Sequence, residues 1–176
     1  GLREPAASRN AGAVSRVDRM TEVGSTLRTA EVIAVGSELL GSSRLDTNSL
    51  FLAECLGALG IELRAKSVVG DNRRDVSELL RQALARADLV ILTGGLGPTD
   101  DDVTREAVAD VLERPMREEA AIVERIAQRF ARRGLRMPDV NGRQAMVLQG
   151  AVVLDNHNGT APGQVMEHGN KLVVLL

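Results

Sequence analysis

Asp88-Leu89-Val90-Ile91-Leu92-Thr93-Gly94-Gly95-Leu96-Gly97-Pro98-Thr99-Asp100-Asp101-Asp102-Val103-Thr104 decides the fold. Its first third is a nearly continuous apolar run of strand length, the pattern of a strand covered on both faces. Gly94-Gly95 ends that run, and Val103, Ala107, Val108 and Val111 then recur at helical spacing, which predicts a helix beginning near Asp102. A buried strand that passes through glycines into a helix is one βα unit.

The flanking sequence repeats the theme. Upstream, Ala30 to Val35 is a second short apolar run closed by Gly36. Asn48 to Leu59 reads as a helix, with Leu52, Leu56 and Leu59 at spacings of four and three, Asn48 as N-cap and Gly60 just past the end. Glu62 to Val69 alternates as a strand, and Asn72 to Ala87 carries Val76, Leu79, Leu80, Ala83 and Leu84 on one helical side. Downstream, Ile122, Ile126 and Phe130 mark a helix over Glu118 to Arg132, and Pro138 to Gly150 reads as a loop followed by a short helix. Ala151 to Leu154 is a strand, and Gln164 to Glu167 with Lys171 to Leu176 form a hairpin across His168-Gly169-Asn170. Strands alternating with helices predict a layered α/β domain with a mainly parallel sheet, made mixed by the closing hairpin.

Composition narrows the function classes. The chain has 176 residues, 44% hydrophobic and 26% charged, with a formal net charge of −2, enough for one domain with its own core. Basic residues are outnumbered by acidic ones, and Phe51 and Phe130 are the only aromatics, so neither a polybasic nor a base-stacking nucleic-acid surface is expected. No apolar run reaches the roughly 20 residues of a membrane span. A single cysteine, Cys55, excludes an internal disulfide and a multi-cysteine zinc site and predicts a cytoplasmic protein. Gly1 to Arg28 carries five arginines and no sustained periodicity, so disorder is expected there, with the domain over 29–176. The chain stops inside its last apolar run, at Leu175-Leu176, which predicts a domain truncated at its C-terminus.

Chemistry concentrates on loops that follow strands, where ligands bind in open α/β sheets. Gly94, Gly95 and Gly97, between a buried strand and a helix N-terminus, allow backbone N–H groups to converge on a phosphate, with Thr93 and Thr99 adding hydroxyls. The alternative is a tight turn that needs glycine only for its φ angles. Asp100-Asp101-Asp102 suits a helix N-terminus, where one acid caps and the others face the dipole. Beside a phosphate it would instead require a divalent cation to offset the repulsion. Asp71, in Val69-Gly70-Asp71-Asn72, is an N-cap or Asx-turn residue or a second acid of that site. Ser37 and Glu38 follow the first strand and face the same end of the sheet. Asn158-Gly159-Thr160-Ala161-Pro162-Gly163 is a further loop of glycine and hydroxyl. Cys55 reads as a core residue, and His157 and His168 as solvated loop histidines.

Five stretches in order then resemble the N-terminal domain of the competence/damage-inducible CinA proteins, within the molybdopterin-binding family that includes MogA and MoaB. They are Ala34 to Gly41, Asp46-Thr47-Asn48, Val69 to Asn72, Thr93 to Thr99 with Asp101 to Ala107, and Gly159 to Gly163. The resemblance implies a three-layer α/β/α sandwich with a largely parallel mixed sheet and a pocket for a phosphorylated pterin or a dinucleotide, with a homo-oligomer allowed. It also implies metal-dependent hydrolysis of a nucleotide pyrophosphate, in the manner of an ADP-ribose pyrophosphatase. In that reading Asp71 and Asp102 are catalytic, and Asp71, Asp101 and Asp102 hold Mg²⁺ or Co²⁺. Ser37, Glu38, Thr93, Gly94, Gly95, Gly97, Thr99, Thr160 and Gly163 bind the ligand. The other reading is a molybdopterin-binding or molybdenum-cofactor assembly module without pyrophosphatase turnover.

Overall fold

The computed structural model describes residues 15–42 and 44–176, without the side chains of Arg16 and Val17. At its centre lie β1 (Thr29–Val35) and β3 (Leu89–Thr93). Every residue of β3 is buried, and six of the seven in β1 are, as continuous apolar runs require. They pair in parallel, Ala30 against Leu89 through Ala34 against Thr93. β2 (Glu62–Val69) adds in parallel to the outer side of β1, and β8 (Lys171–Leu175) in parallel to β3. β7 (Gly163–His168) and β6 (Val152–Leu154) then follow antiparallel, giving the order β2-β1-β3-β8-β7-β6.

Alternation along the strands sorts side chains to two faces. Ile33, Val35, Val90, Leu92, Val173 and Leu175 face α3 (Arg73–Arg86) and α4 (Thr104–Leu112), where Val76, Leu80, Ala107 and Val108 complete the main core. Ala30, Val32, Leu89, Ile91 and Leu172 face the other way, toward α2 (Thr47–Ala58) and α1 (Arg16–Thr26). The result is the expected three-layer α/β/α sandwich with a mixed sheet. α5 (Ala120–Ala131) packs Ile122 and Ile126 on Ala145 and Val147 as a satellite core.

Two expectations differ from the structure. Residues 1–14 lie outside the described residues, but Arg16–Thr26, inside the segment expected to be disordered, is helix α1. It starts with a capping box in which Ser15 and Asp18 exchange bonds, and Met20 and Val23 pack against the second core. Two described apolar contacts over three turns leave no readable periodicity; docking on the sheet supplies what helix propensity does not. Pro138 to Gly150 holds a 3₁₀ turn (Asp139–Ala145) and a short strand, β5 (Met146–Leu148), instead of a short α-helix. β5 pairs antiparallel with β4 (Met116–Glu118), and three-residue strands are too short to show alternation. Among the described residues no helix is long and apolar enough to cross a membrane.

Candidate functional site

β3 ends at Thr93, which shares a sheet face with Leu89 and Ile91 by alternation and so looks toward α2. There a cleft of about 590 Å³ opens at the carboxyl ends of β3 and β8. Thr93 and Leu176 form its floor, Asn48, Phe51 and Leu52 one wall, and Leu154 to Asn158 with Ala161 and Gly163 the other. Asn48 was expected to cap α2. Asp46 does so instead, accepting the Ser49 N–H at 3.0 Å, which leaves Asn48 on the first turn to line the cleft. Its volume is within the range of small-molecule sites.

The glycine loop leaves the sheet beside this cleft, and its geometry is fixed from the start of α4. Thr104 donates its hydroxyl to the Gly94 carbonyl at 2.8 Å and its N–H to the Gly95 carbonyl at 3.2 Å. In a trans peptide the N–H lies opposite the carbonyl, so the N–H groups of Gly95 and Leu96 turn away from α4. Neither has a protein acceptor among the described residues. Glycine is required here by contact as well as by conformation. Gly94 sits at φ +88° with Val35 O only 2.3 Å from where a Cβ would be, and Gly95 at φ +63° with Thr104 Oγ1 at 2.3 Å.

The other loop donors expected on the ligand are already spent. Asp102 accepts from Gly97 N–H at 2.8 Å, Thr99 N–H at 2.8 Å and the Thr99 hydroxyl at 2.7 Å. Partial burial opposes the Asp102 charge, but the Thr99 and Gly97 donors and the neighbouring Arg105 outweigh it, holding the carboxyl below the usual carboxylate range. Gly97 N–H and the Thr99 hydroxyl, both expected on the ligand, therefore face Asp102. Asp71 is occupied too. Its carboxylate accepts the Ser37 N–H at 2.8 Å while its own N–H donates to Ser37 Oγ at 3.1 Å, a reciprocal clasp between the loops after β1 and β2. Glu38 is exposed and lies 3.7 Å from Arg44.

A hard cation needs carboxylate oxygens free to turn toward it. Both oxygens of Asp102 and one of Asp71 are engaged, Asp101 is exposed on the loop, and β1 separates the strands that lead to Asp71 and Asp102. Among the described residues no group of three or more His, Cys, Asp or Glu is gathered that could hold a metal ion. The arrangement does not fit Mg²⁺ or Co²⁺ shared by Asp71, Asp101 and Asp102.

Of the ligand residues read from the sequence, the structure places Thr93 and Gly163 in the cleft, with Gly94 and Gly95 following directly from its floor. Thr160 lines a separate small recess with Arg125 and Arg129. Missed in the sequence were Phe51, Leu52, Asn156 and His157, which carry no motif, and two arginines on the glycine loop. Arg105 Nη1 and Nη2 donate to the carbonyls of Leu96 and Gly97 at 2.6 and 2.8 Å. Arg143 reaches over from the 3₁₀ turn to Thr99 O at 2.7 Å, Asp100 at 2.9 Å and Glu106 at 3.2 Å.

Residues 31–176 match the family described as "Probable molybdopterin binding domain". The chain belongs to that family. It is 50% identical over 147 residues to a CinA-like protein of Solibacter usitatus, covering 84% of this chain and 35% of the relative. It thus spans about a third of the length of the curated relatives it matches, 35% and 33% of the first two. Among solved structures, a CinA protein of unknown function from Thermoplasma acidophilum superposes with a TM-score of 0.77 at 31% identity, covering 85% of this chain and 88% of that one. The molybdopterin biosynthesis enzyme MoaB from Thermus thermophilus shares the fold, with a TM-score of 0.55 at 23% identity over 85% of this chain and 80% of that one.

These findings overturn the expected metal-dependent hydrolase. The family this domain belongs to is described by molybdopterin binding, and the aspartates assigned to pyrophosphate cleavage are structural partners of Ser37, Gly97 and Thr99. An ADP-ribose pyrophosphatase is not supported.

Proposed function

We propose that this domain binds molybdopterin, a phosphorylated pterin, in the cleft beside the glycine loop and serves in molybdenum-cofactor assembly without cleaving a pyrophosphate. The observation that carries the reading is the pairing of that cleft with two backbone donors that turn away from α4 and have no protein acceptor among the described residues. Thr93, Asn48 and Asn158 offer mixed donors and acceptors of the kind that the edge of a pterin ring presents, while Phe51, Leu52 and Leu154 give apolar surface for its faces. The N–H groups of Gly95 and Leu96, at the start of the loop, suit the phosphate. The family description and the names of its structural neighbours point the same way. With a single cysteine, Cys55, unpaired, the reducing cytoplasm is the compartment we assign.

Anaerobic titration of molybdopterin, followed by pterin fluorescence, tests this. Saturable binding at one site is expected, weakened at least about tenfold, or ~1.4 kcal/mol, by Asn48→Ala or Phe51→Ala. A folded protein that leaves the pterin signal unchanged overturns the reading.

A further inference from the structure

Arg105 is the largest fully buried side chain among the described residues, with 1% of its surface exposed. A buried guanidinium is ordinarily met by a carboxylate, because taking its charge out of water is expensive otherwise. Here both terminal nitrogens go to neutral carbonyls of the glycine loop, Leu96 O and Gly97 O, and Nε is buried without a partner. Neither of its carboxylate neighbours is hydrogen-bonded to it. Asp102 holds Gly97 and Thr99. Glu106 gives Oε1 to Arg143 and leaves Oε2 buried and unpartnered. The charges of Asp102, Glu106 and Arg143 act on Arg105 without a bond to it, so ion pairing does not explain why an arginine stands here. Geometry does. The planar fork spans two successive carbonyls at a fixed separation, which a lysine ammonium cannot match.

The peptides it grips are the continuation of the two that carry the free donors. Thr104 fixes the carbonyls of Gly94 and Gly95, and Arg105, the next residue on α4, fixes those of Leu96 and Gly97. Four carbonyls in a row are thereby turned toward α4. Three glycines within four residues would otherwise leave this segment the freest backbone in the domain.

We propose that Arg105 is the positioning residue of the anion-binding loop. Its fork holds Leu96 and Gly97 so that the Gly95 and Leu96 N–H groups face outward before any ligand arrives, sparing the ligand the ordering of the loop. The inference rests on the phosphate end of the molybdopterin reading and adds the residue that preorganises it.

The test uses Arg105→Lys, which keeps the charge and loses the fork, and Arg105→Ala, which opens a guanidinium-sized space. Inorganic phosphate is titrated into each protein while the Gly95 and Leu96 amides are followed by NMR, at a temperature where each is folded by circular dichroism. In the wild type these two amides shift with phosphate. In Arg105→Lys they broaden and phosphate affinity falls about tenfold or more, equal to ~1.4 kcal/mol. In Arg105→Ala, millimolar guanidinium restores the wild-type shifts and equal sodium does not. A folded Arg105→Lys that binds phosphate like the wild type overturns the proposal and makes Arg105 a stabilising residue only. Wild-type amides that ignore phosphate overturn it as well. Molybdopterin binding measured on the same samples separates the two readings: if the pterin binds and phosphate affinity does not depend on Arg105, only this inference fails.

Discussion

The two loops beside the cleft are held by opposite means. In the glycine loop, most restraints come from residues close by in sequence, Asp102, Thr104 and Arg105, with Arg143 added from the 3₁₀ turn onto Thr99 O, and the bonds at Gly94, Leu96 and Gly97 are buried or partly so. In the loop between β6 and β7, Asp155 to Asn158 are exposed. That loop ties itself with the Asn156 amide, which accepts from Asn158 and Gly159 N–H at 2.9 and 2.8 Å and donates to Ala161 O at 2.9 Å. Its outside support is two arginines of α5: Arg125 on Asp155, and Arg129 on the carbonyls of Gly159 and His157. Bonds inside the protein cost more to break than solvated ion pairs. The first loop is therefore a rigid part of the fold, whereas the second is a surface whose anchors can be altered with little loss.

The comparison breaks most visibly at Gly94. Gly94→Val would put a Cβ against the Val35 carbonyl at a left-handed φ, costing about 3 kcal/mol or more in urea denaturation. A loss below about 1 kcal/mol would mean that the loop yields and is not rigid. Asp102→Ala comes next. It strips the acceptor from two N–H groups and a hydroxyl, and a loss of about 1–3 kcal/mol is expected, with faster amide exchange at Gly97 and Thr99.

Acid gives a smaller effect at the same carboxylate. Because the folded Asp102 carboxyl lies below its ordinary value, the unfolded chain takes up its proton first. Its stabilisation is complete above about pH 4 and fades as pH falls through the folded value. The stability gap between the wild type and Asp102→Asn should narrow below pH 4 and stay flat from pH 5 to 8. Asp88 and Asp110 are lowered as well, by the Arg28 N–H and by Arg73 respectively, so the variant keeps an acid loss of its own. The least effect is expected at Arg125→Ala, whose exposed pair with Asp155 should contribute under about 1 kcal/mol. Faster amide exchange across 155–162 at a nearly unchanged melting temperature would be the sign of an anchored surface loop. A fall of several degrees would make the two loops alike.

Much of the fold was legible because its central elements are long and strongly patterned. β1 and β3 announce themselves as unbroken apolar runs, α3 by its apolar side, and the βα order predicts a parallel sheet. Local capping was legible only in part: Asn72 caps α3 as its type suggests, but Asp46 takes the place expected of Asn48. α1 and the β4–β5 pair were beyond reading, since each is stabilised by what it docks on.

The sequence by itself determined that Gly94, Gly95 and Gly97 stand between a buried strand and a helix, and that Asp71 and Asp102 face the carboxyl edge of the sheet. Tertiary structure alone decided which of their groups remain free. A carboxylate has the same formula whether it faces a ligand or clasps Ser37, and the Gly95 and Leu96 N–H groups turn away from α4 because Thr104 takes the carbonyls of Gly94 and Gly95. The cleft was hidden for the same reason. Asn48 and Phe51 line one cleft with Asn156 only when α2 and the loop before β7 are brought to one end of the sheet, and that meeting is set by strand order and packing, which no local spacing records.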